Sequence, residues 1–384
     1  MTTDLPRTSP PEDPGTPPSL AGTRALLLTS HPVDARDGAD KELAVAVVEG
    51  LHDVRFTWFG RSGARGREPL RRGRRVALAS LDGMPGPGER AQAAGLALAL
   101  EPRVDLLHAV VTVGPRFADY VRLRRRLLGR RARPAVHTVP AVADPAALRE
   151  APALGTTVVL SKATQDLLLD AGYPDVRLFP PGIDLTRWAA SPRPSGGPAV
   201  AAFAGHYDDD GGLWDTVEAL GRLAREGTAL RGLFLMRPRP GQDERQQANR
   251  LTARARAAGL DDVVVRGRVD DMPAALVGVD LLLLPARRLA GKADVPFTVL
   301  EAMATGRPVV VTDLPEMRAL VGTAVTTAPG RVDLLADAVR DLLERPQQWQ
   351  VVAGRGRALV EQQFSRDAMV GRYRELYAEL LGAT

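Results

Sequence analysis

The chain has 384 residues, 45% of them hydrophobic and 25% charged, with a formal net charge of +5. That length holds two domains with sizeable cores, and the composition is that of an ordinary globular protein. The absence of cysteine excludes disulfides, thiol catalysis and zinc–thiolate sites.

Residues 1–21 hold Pro6, Pro10, Pro11, Pro14, Pro17 and Pro18 with few large apolar groups, and read as a disordered tail. No apolar run reaches the roughly eighteen residues of a membrane helix, and the N-terminus has no signal-peptide core, so a cytoplasmic protein is expected. Arg24–Ser30 reads as a buried strand. A loop follows, then a helix opened by Gly38-Ala-Asp-Lys-Glu42, with Leu43, Val45, Val47 and Val48 on one face. Strands are expected over 54–59, 76–80, 104–113, 134–139 and 156–161, with a basic loop over 61–75. Helices are expected over 89–100, 117–130 and 162–171. Ser191–Pro198 is rich in Pro, Gly and Ser and reads as a linker. The alternation then restarts, with strands over 199–204, 230–236, 263–266, 279–285, 307–311 and 324–327. Helices lie over 212–226, 243–258, near Met272, over 298–305, and from Val332 and Gln347, and a last one covers 365–381. Alternating strands and helices without hairpin signals predict an α/β protein with two parallel sheets, each covered on both faces.

Asp294-Val-Pro-Phe-Thr-Val-Leu-Glu301 opens a helix directly after a buried strand and its loop. The first N–H groups of a helix lack partners and the dipole is positive there, so such an end suits a phosphate. Glu301, one turn in, can return its carboxylate to the same mouth and accept from a diol. Phosphate and ribose together describe a nucleotide site.

This stretch resembles the donor site of retaining GT-B glycosyltransferases of the family-four type, the group 1 glycosyl transferases. Their pattern is Glu, seven residues, Glu, then Ala-Met-Ala and Gly-x-Pro-Val-Val. Glu301 and Ala302-Met-Ala-Thr-Gly-Arg-Pro-Val-Val310 keep the register, while Ala293 stands where the first Glu belongs and Asp294 is the nearest carboxylate. Phe179-Pro-Pro-Gly-Ile-Asp184 resembles the family's hinge, Gly38 and its neighbours its first loop, and Asp105-Leu-Leu-His-Ala109 a strand end. The resemblance implies the GT-B fold: two Rossmann-like domains facing across a cleft, with the last helix crossing back to the first. The expected division is a tail (1–21), an acceptor domain (22–188), a linker (189–198), a donor domain (199–364) and the returning helix (365–384).

It also implies transfer of a sugar from a nucleotide sugar, linked to UDP, GDP or dTDP, to an acceptor hydroxyl with retention of configuration. Neither a cofactor nor a metal is expected. Gly205, Arg268, Arg237, Asp294, Pro296, Phe297, Thr298, Val299 and Glu301 fall on the donor side, and Gly38 and His108 on the acceptor side. His108 reads equally well as a core histidine, and no catalytic role passes to His137. Charge builds on the departing diphosphate, so positive groups there matter most. The family places an Arg and a Lys in the loop that is here Gly205-His-Tyr-Asp-Asp-Asp-Gly-Gly212. His206 takes the Arg place and Gly211 the Lys place. The missing charge can come from Lys292, Arg287 or Arg237; Lys292 stands first because nearly every other basic residue is Arg. Lys292 and His206 are the expected catalytic pair. Two alternatives stand open: Asp208, Asp209 and Asp210 hold a divalent cation, or the chain is a non-catalytic GT-B partner of another transferase. An epimerase of the same fold needs acid–base groups that cannot be placed here.

The helix over 117–131 carries Arg122, Arg124, Arg125, Arg126, Arg130 and Arg131. It reads either as a face for an anionic membrane, which would put the protein at the inner membrane surface, or as a solvated helix. With 4% aromatics and no stacking motif, nucleic acid is not an expected partner.

Overall fold

The computed structural model describes residues 17–30, 33, 38–61, 70, 72–78, 86–239, 241–289 and 292–383. Residues 1–16 of the expected tail and most of the basic loop between the second and third strands lie outside them. Leu20 departs from the tail reading. It is 1% exposed, its N–H donates to Asp53 at 3.1 Å, and it joins the core of the first half. It is an isolated apolar side chain in a Pro-rich run, and the core recruits it.

In chain order the first half runs β1 (Arg24–Thr29), α1 (Ala39–Gly50), β2 (Arg55–Arg61), β3 (Arg74–Leu78), α2 (Pro87–Leu100), β4 (Leu106–Val110), α3 (Pro115–Leu128), β5 (Ala135–Val139), α4 (Pro145–Glu150), β6 (Thr156–Val159), α5 (Lys162–Asp170) and β7 (Val176–Leu178). The second half runs β8 (Ala199–His206), α6 (Leu213–Arg225), β9 (Leu230–Arg237), α7 (Glu244–Ala257), β10 (Val263–Arg266), α8 (Met272–Val277), β11 (Leu281–Leu284), α9 (Phe297–Ala304), β12 (Val309–Thr312), β13 (Val325–Thr327), α10 (Val332–Glu344), α11 (Pro346–Gln363) and α12 (Arg366–Leu381). Two parallel sheets result, ordered β3-β2-β1-β4-β5-β6-β7 and β10-β9-β8-β11-β12-β13. Each order reverses once, between β1 and β4 and between β8 and β11. Ligand crevices of open α/β sheets form beyond the strand ends at such reversals.

The strands form where uninterrupted apolar runs can be buried on both faces; β4, β5, β11 and β12 are buried throughout. Ser161, Asp243, Asp271 and Ser365 cap α5, α7, α8 and α12 by accepting backbone N–H bonds. α4 was not expected from the sequence, although Asp144 caps it and Pro145 opens it.

α12 lies on the first half. Met369, Val370, Tyr373, Leu376 and Tyr377 share a core with Leu43, Val47 and Val48 of α1. The chain crosses between the halves twice at one place. Ile183 N–H donates to Phe364 and Arg366 N–H to Ile183, both at 2.9 Å, and Arg366 pairs with Asp184 at 2.8 Å. Gly182 is required there, because a Cβ would meet the Ser365 carbonyl oxygen at 2.7 Å and the Arg366 Cα at 2.6 Å.

Candidate active site

A cavity of about 670 Å³ opens between the halves at the reversal points of both sheets. Ser30 and Thr112 reach it from beyond β1 and β4, and Gly205, His206, Leu284 and Ala286 from the ends of β8 and β11. The hinge contributes Arg187 and Trp188.

α9 points its first turn into this space, with Pro296, Phe297, Thr298 and Glu301 on the wall. Pro296 is the residue before the first helical turn, where a missing N–H costs nothing. Burial, and then the Glu42 carboxylate on α1, push Glu301 up to about 8; Arg187 and Arg237 pull the other way. A carboxyl in this state can both donate to and accept from a diol.

The turn from β8 into α6 is shaped by glycine. Gly212 has φ +78°, and a Cβ there would lie 2.1 Å from the Pro285 carbonyl oxygen. The Gly211 N–H donates to Asp208 Oδ1 at 2.8 Å. The same oxygen accepts from Lys292 Nζ at 2.8 Å, and Oδ2 accepts from Arg239 at 2.7 Å. Burial alone would raise Asp208; the hydrogen bonds from Lys292 and Arg239 outweigh it and hold the carboxyl below its usual range. Asp210 pairs with Arg288 at 2.8 Å. Arg287 does not face the cleft: it forks onto the buried Asp215 at 2.9 and 2.7 Å. Of the three cations expected to replace the lost pair, Lys292 and Arg237 line the cavity and Arg287 does not.

His206 lines the wall with Nδ1 3.0 Å from the Arg237 carbonyl oxygen. A carbonyl only accepts, so Nδ1 is the protonated nitrogen and Nε2 of the neutral ring is an acceptor. Burial and the Arg237 charge lower its pKa and keep it neutral. It therefore suits a hydroxyl better than a diphosphate. At the far end, Gly267, Arg268 and Val269 form the wall. A Cβ at Gly267 would meet the end of the exposed Glu244 side chain at 1.7 Å and push it aside. Arg268 pairs loosely with Asp270 at 3.7 Å.

Gly38 also lines the cavity. Three expected site residues lie elsewhere. His108 is fully buried, with Nδ1 2.7 Å from the Tyr377 hydroxyl and Nε2 2.8 Å from the Thr138 hydroxyl; it ties α12 to the first sheet. Asp294 is 3% exposed and accepts from Ser161, the cap of α5, at 3.0 Å. It joins the halves and does not replace the missing first Glu. Burial raises it to about 6. Val299 is wholly buried in the second core, one position round α9 from the cleft. The sequence reading missed Asp40, Glu42, Arg187 and Arg239, which also line the cavity. Glu42 had a signal, its place in the first turn of α1 next to Gly38; Arg239 had none.

Comparison with known proteins follows the same division. Residues 199–345 match the family model of glycosyl transferases group 1. A glycogen synthase of Mycobacterium tuberculosis is 29% identical over 187 residues, 47% of this chain and 42% of that protein. The match thus spans less than half the length of that relative. Among solved structures, sucrose-phosphate synthase from Thermosynechococcus elongatus superposes with a TM-score of 0.77 at 16% identity, over 94% of this chain and all of that one. Anabaena HepE in complex with UDP-glucose superposes with 0.73 at 16% identity, over 93% and 99%. At these identities the structures establish the fold, which is GT-B. The likeness in sequence to the glycosyl transferases group 1 lies in the second half, over residues 199–345.

Proposed function

We propose that this protein transfers a sugar from a nucleotide sugar to an acceptor hydroxyl, with retention of configuration. The observation that carries the reading is the convergence, in one cavity between two Rossmann-like halves, of the α9 N-terminus, Glu301, Lys292 and Arg237. Glu301 holds the ribose, the first turn of α9 and Lys292 hold the diphosphate, and the backbone of Gly267–Val269 faces the base. Lys292 takes over from the lysine the family carries at position 211. An added Cβ at Gly211 would lie 3.1 Å from the Lys292 ammonium, so the charge reaches the same place from another loop. The acceptor enters from the first half, past Gly38 and Glu42.

The resemblance of the fold to HepE in complex with UDP-glucose makes UDP-sugars the first donors to try. Calorimetry of UDP-, GDP- and dTDP-sugars, followed by assay of sugar release, tests the reading; no binding by any of them would sink it. The reaction is proposed to run without a metal. Asp208 and Asp210 are turned to Lys292, Arg239 and Arg288, and a magnesium requirement for transfer would refute this part.

We further propose a peripheral contact with an anionic membrane on its cytoplasmic side. Among the described residues no helix is long and apolar enough to cross a membrane. On α3, Leu123 and Leu127 are 43% and 59% exposed beside Arg126 and Arg130, a pattern suited to a charged lipid surface. Arg124 takes no part: it is buried in an ion pair with Glu101. Sedimentation with phosphatidylglycerol vesicles, unchanged in Leu127→Ser/Arg126→Ser, would refute the contact.

A further inference from the structure

Asp208 is held as a phosphate would be. Its carboxylate gathers a backbone N–H from Gly211, the ammonium of Lys292 and the guanidinium of Arg239, at 2.8, 2.8 and 2.7 Å. The three donors come from different segments: the turn into α6, the loop before α9 and the loop after β9. An amide at a helix opening, an ammonium and a guanidinium together make an anion receptor. The Lys292 and Asp208 side chains are each 20% exposed, so solvent and salt screen their attraction less than at an open surface. Lys292, Arg239 and Gly211 all line the donor cavity. Glycine at 211 makes room for this arrangement, because a Cβ would stand 2.9 Å from the Asp208 oxygen.

We propose that Asp208 is a built-in competitor for the diphosphate of the donor, an inference that rests on the donor reading above. Asp208 holds Lys292 and Arg239 while the cleft is empty and yields them when the diphosphate enters. The exchange is one anion for another, with no bond made or broken. It keeps the two cations side by side and correctly aimed without mutual repulsion. It also subtracts the Asp208 attraction from the binding of donor and of released nucleoside diphosphate alike. Asp208 therefore sets nucleotide affinity and favours departure of the product.

The test is calorimetric titration of UDP, or of GDP and dTDP if UDP is silent, into the full chain as parent, Asp208→Asn and Asp208→Ala. Melting curves of the nucleotide-free proteins run alongside. The isosteric Asn variant keeps the test alive if the Ala variant folds poorly. Both variants are expected to bind about tenfold more tightly, roughly the 1.4 kcal/mol of one tenfold step. Asp208→Ala should also melt lower when empty and gain more from nucleotide than the parent does. In a Lys292→Ala background the gain from Asp208→Asn should shrink. Unchanged or weaker binding in Asp208→Asn beside a binding parent would overturn it, leaving Asp208 as a strut that orients Lys292. Silence of the parent and both variants would overturn the proposal and the donor reading together.

Discussion

The two segments of the second half that face the proposed diphosphate are made of opposite materials. The turn from β8 into α6 offers glycines and acids, with a neutral His206 and no cation of its own. The segment leading into α9 offers Lys292 and a helix N-terminus. The first has the glycines and lacks a cation; the second has the charge. Position in space, not position in sequence, decides which residue meets an anion. On the proposed reading the charge this turn lacks comes from Lys292, which reaches Asp208 across 84 residues of sequence.

This contrast can be broken most directly at Lys292. Lys292→Ala is expected to slow transfer by about 10²–10³-fold, the usual effect of removing one preorganised stabilising group, read from initial rates at saturating donor. Moving the charge back, in Gly211→Lys/Lys292→Ala, should recover about tenfold. If Lys292→Ala transfers like the parent, the charge does not come from this segment. The shape of the first segment is tested by Gly212→Ala. A side chain at φ +78° facing the Pro285 oxygen at 2.1 Å should cost about 2–3 kcal/mol of stability, visible as a lower Tm.

Glu301 makes stability depend on pH. Its carboxyl is held up at about 8 in the folded protein, against an ordinary 4.5. Between these values the unfolded chain has released a proton that the folded one keeps, so rising pH favours unfolding. Glu301→Gln should remove that fall, gaining about 1–2 kcal/mol at pH 8 relative to pH 5, since the open cleft weakens the burial effect. Parallel melts at the two pH values check it. The smallest effect belongs to Arg287→Ala. It should cost about 1 kcal/mol by releasing the half-exposed partner of Asp215 and leave the transfer rate unchanged. A rate loss comparable to that of Lys292→Ala would return Arg287 to the site.

The sequence showed those parts of the fold whose reasons are local. α9 could be read from its apolar spacing, Pro296 and the Gly306 stop. The hinge could be read from Pro180-Pro-Gly182, and the parallel sheets from runs such as Leu281–Leu284. Helix geometry alone turned Glu301 to the mouth of α9; Pro296 and Thr298 came with the resemblance, as Val299 did. What failed depends on partners distant in sequence. His108 in a strand looks the same whether it meets a substrate or Tyr377, 269 residues on. Asp294 was placed at the donor because it is next to Ala293; its partner, Ser161, comes from the other half. Arg287 and Lys292 share one loop, and only the fold turns one to Asp215 and the other to the cleft.

The return of α12 has a consequence for biosynthesis. The half made first does not own its whole core. Val45, Val47 and Leu43 pack against Met369, Tyr373 and Tyr377, and His108 finds its second hydroxyl only in Tyr377. At about 5–20 residues per second, the ribosome makes Tyr377 about 13–54 s after His108. In that interval the nascent first half displays an apolar strip on α1 and a buried imidazole lacking one partner. α12 closes a half whose strands were made long before it, so that half stays open to misfolding until α12 is complete.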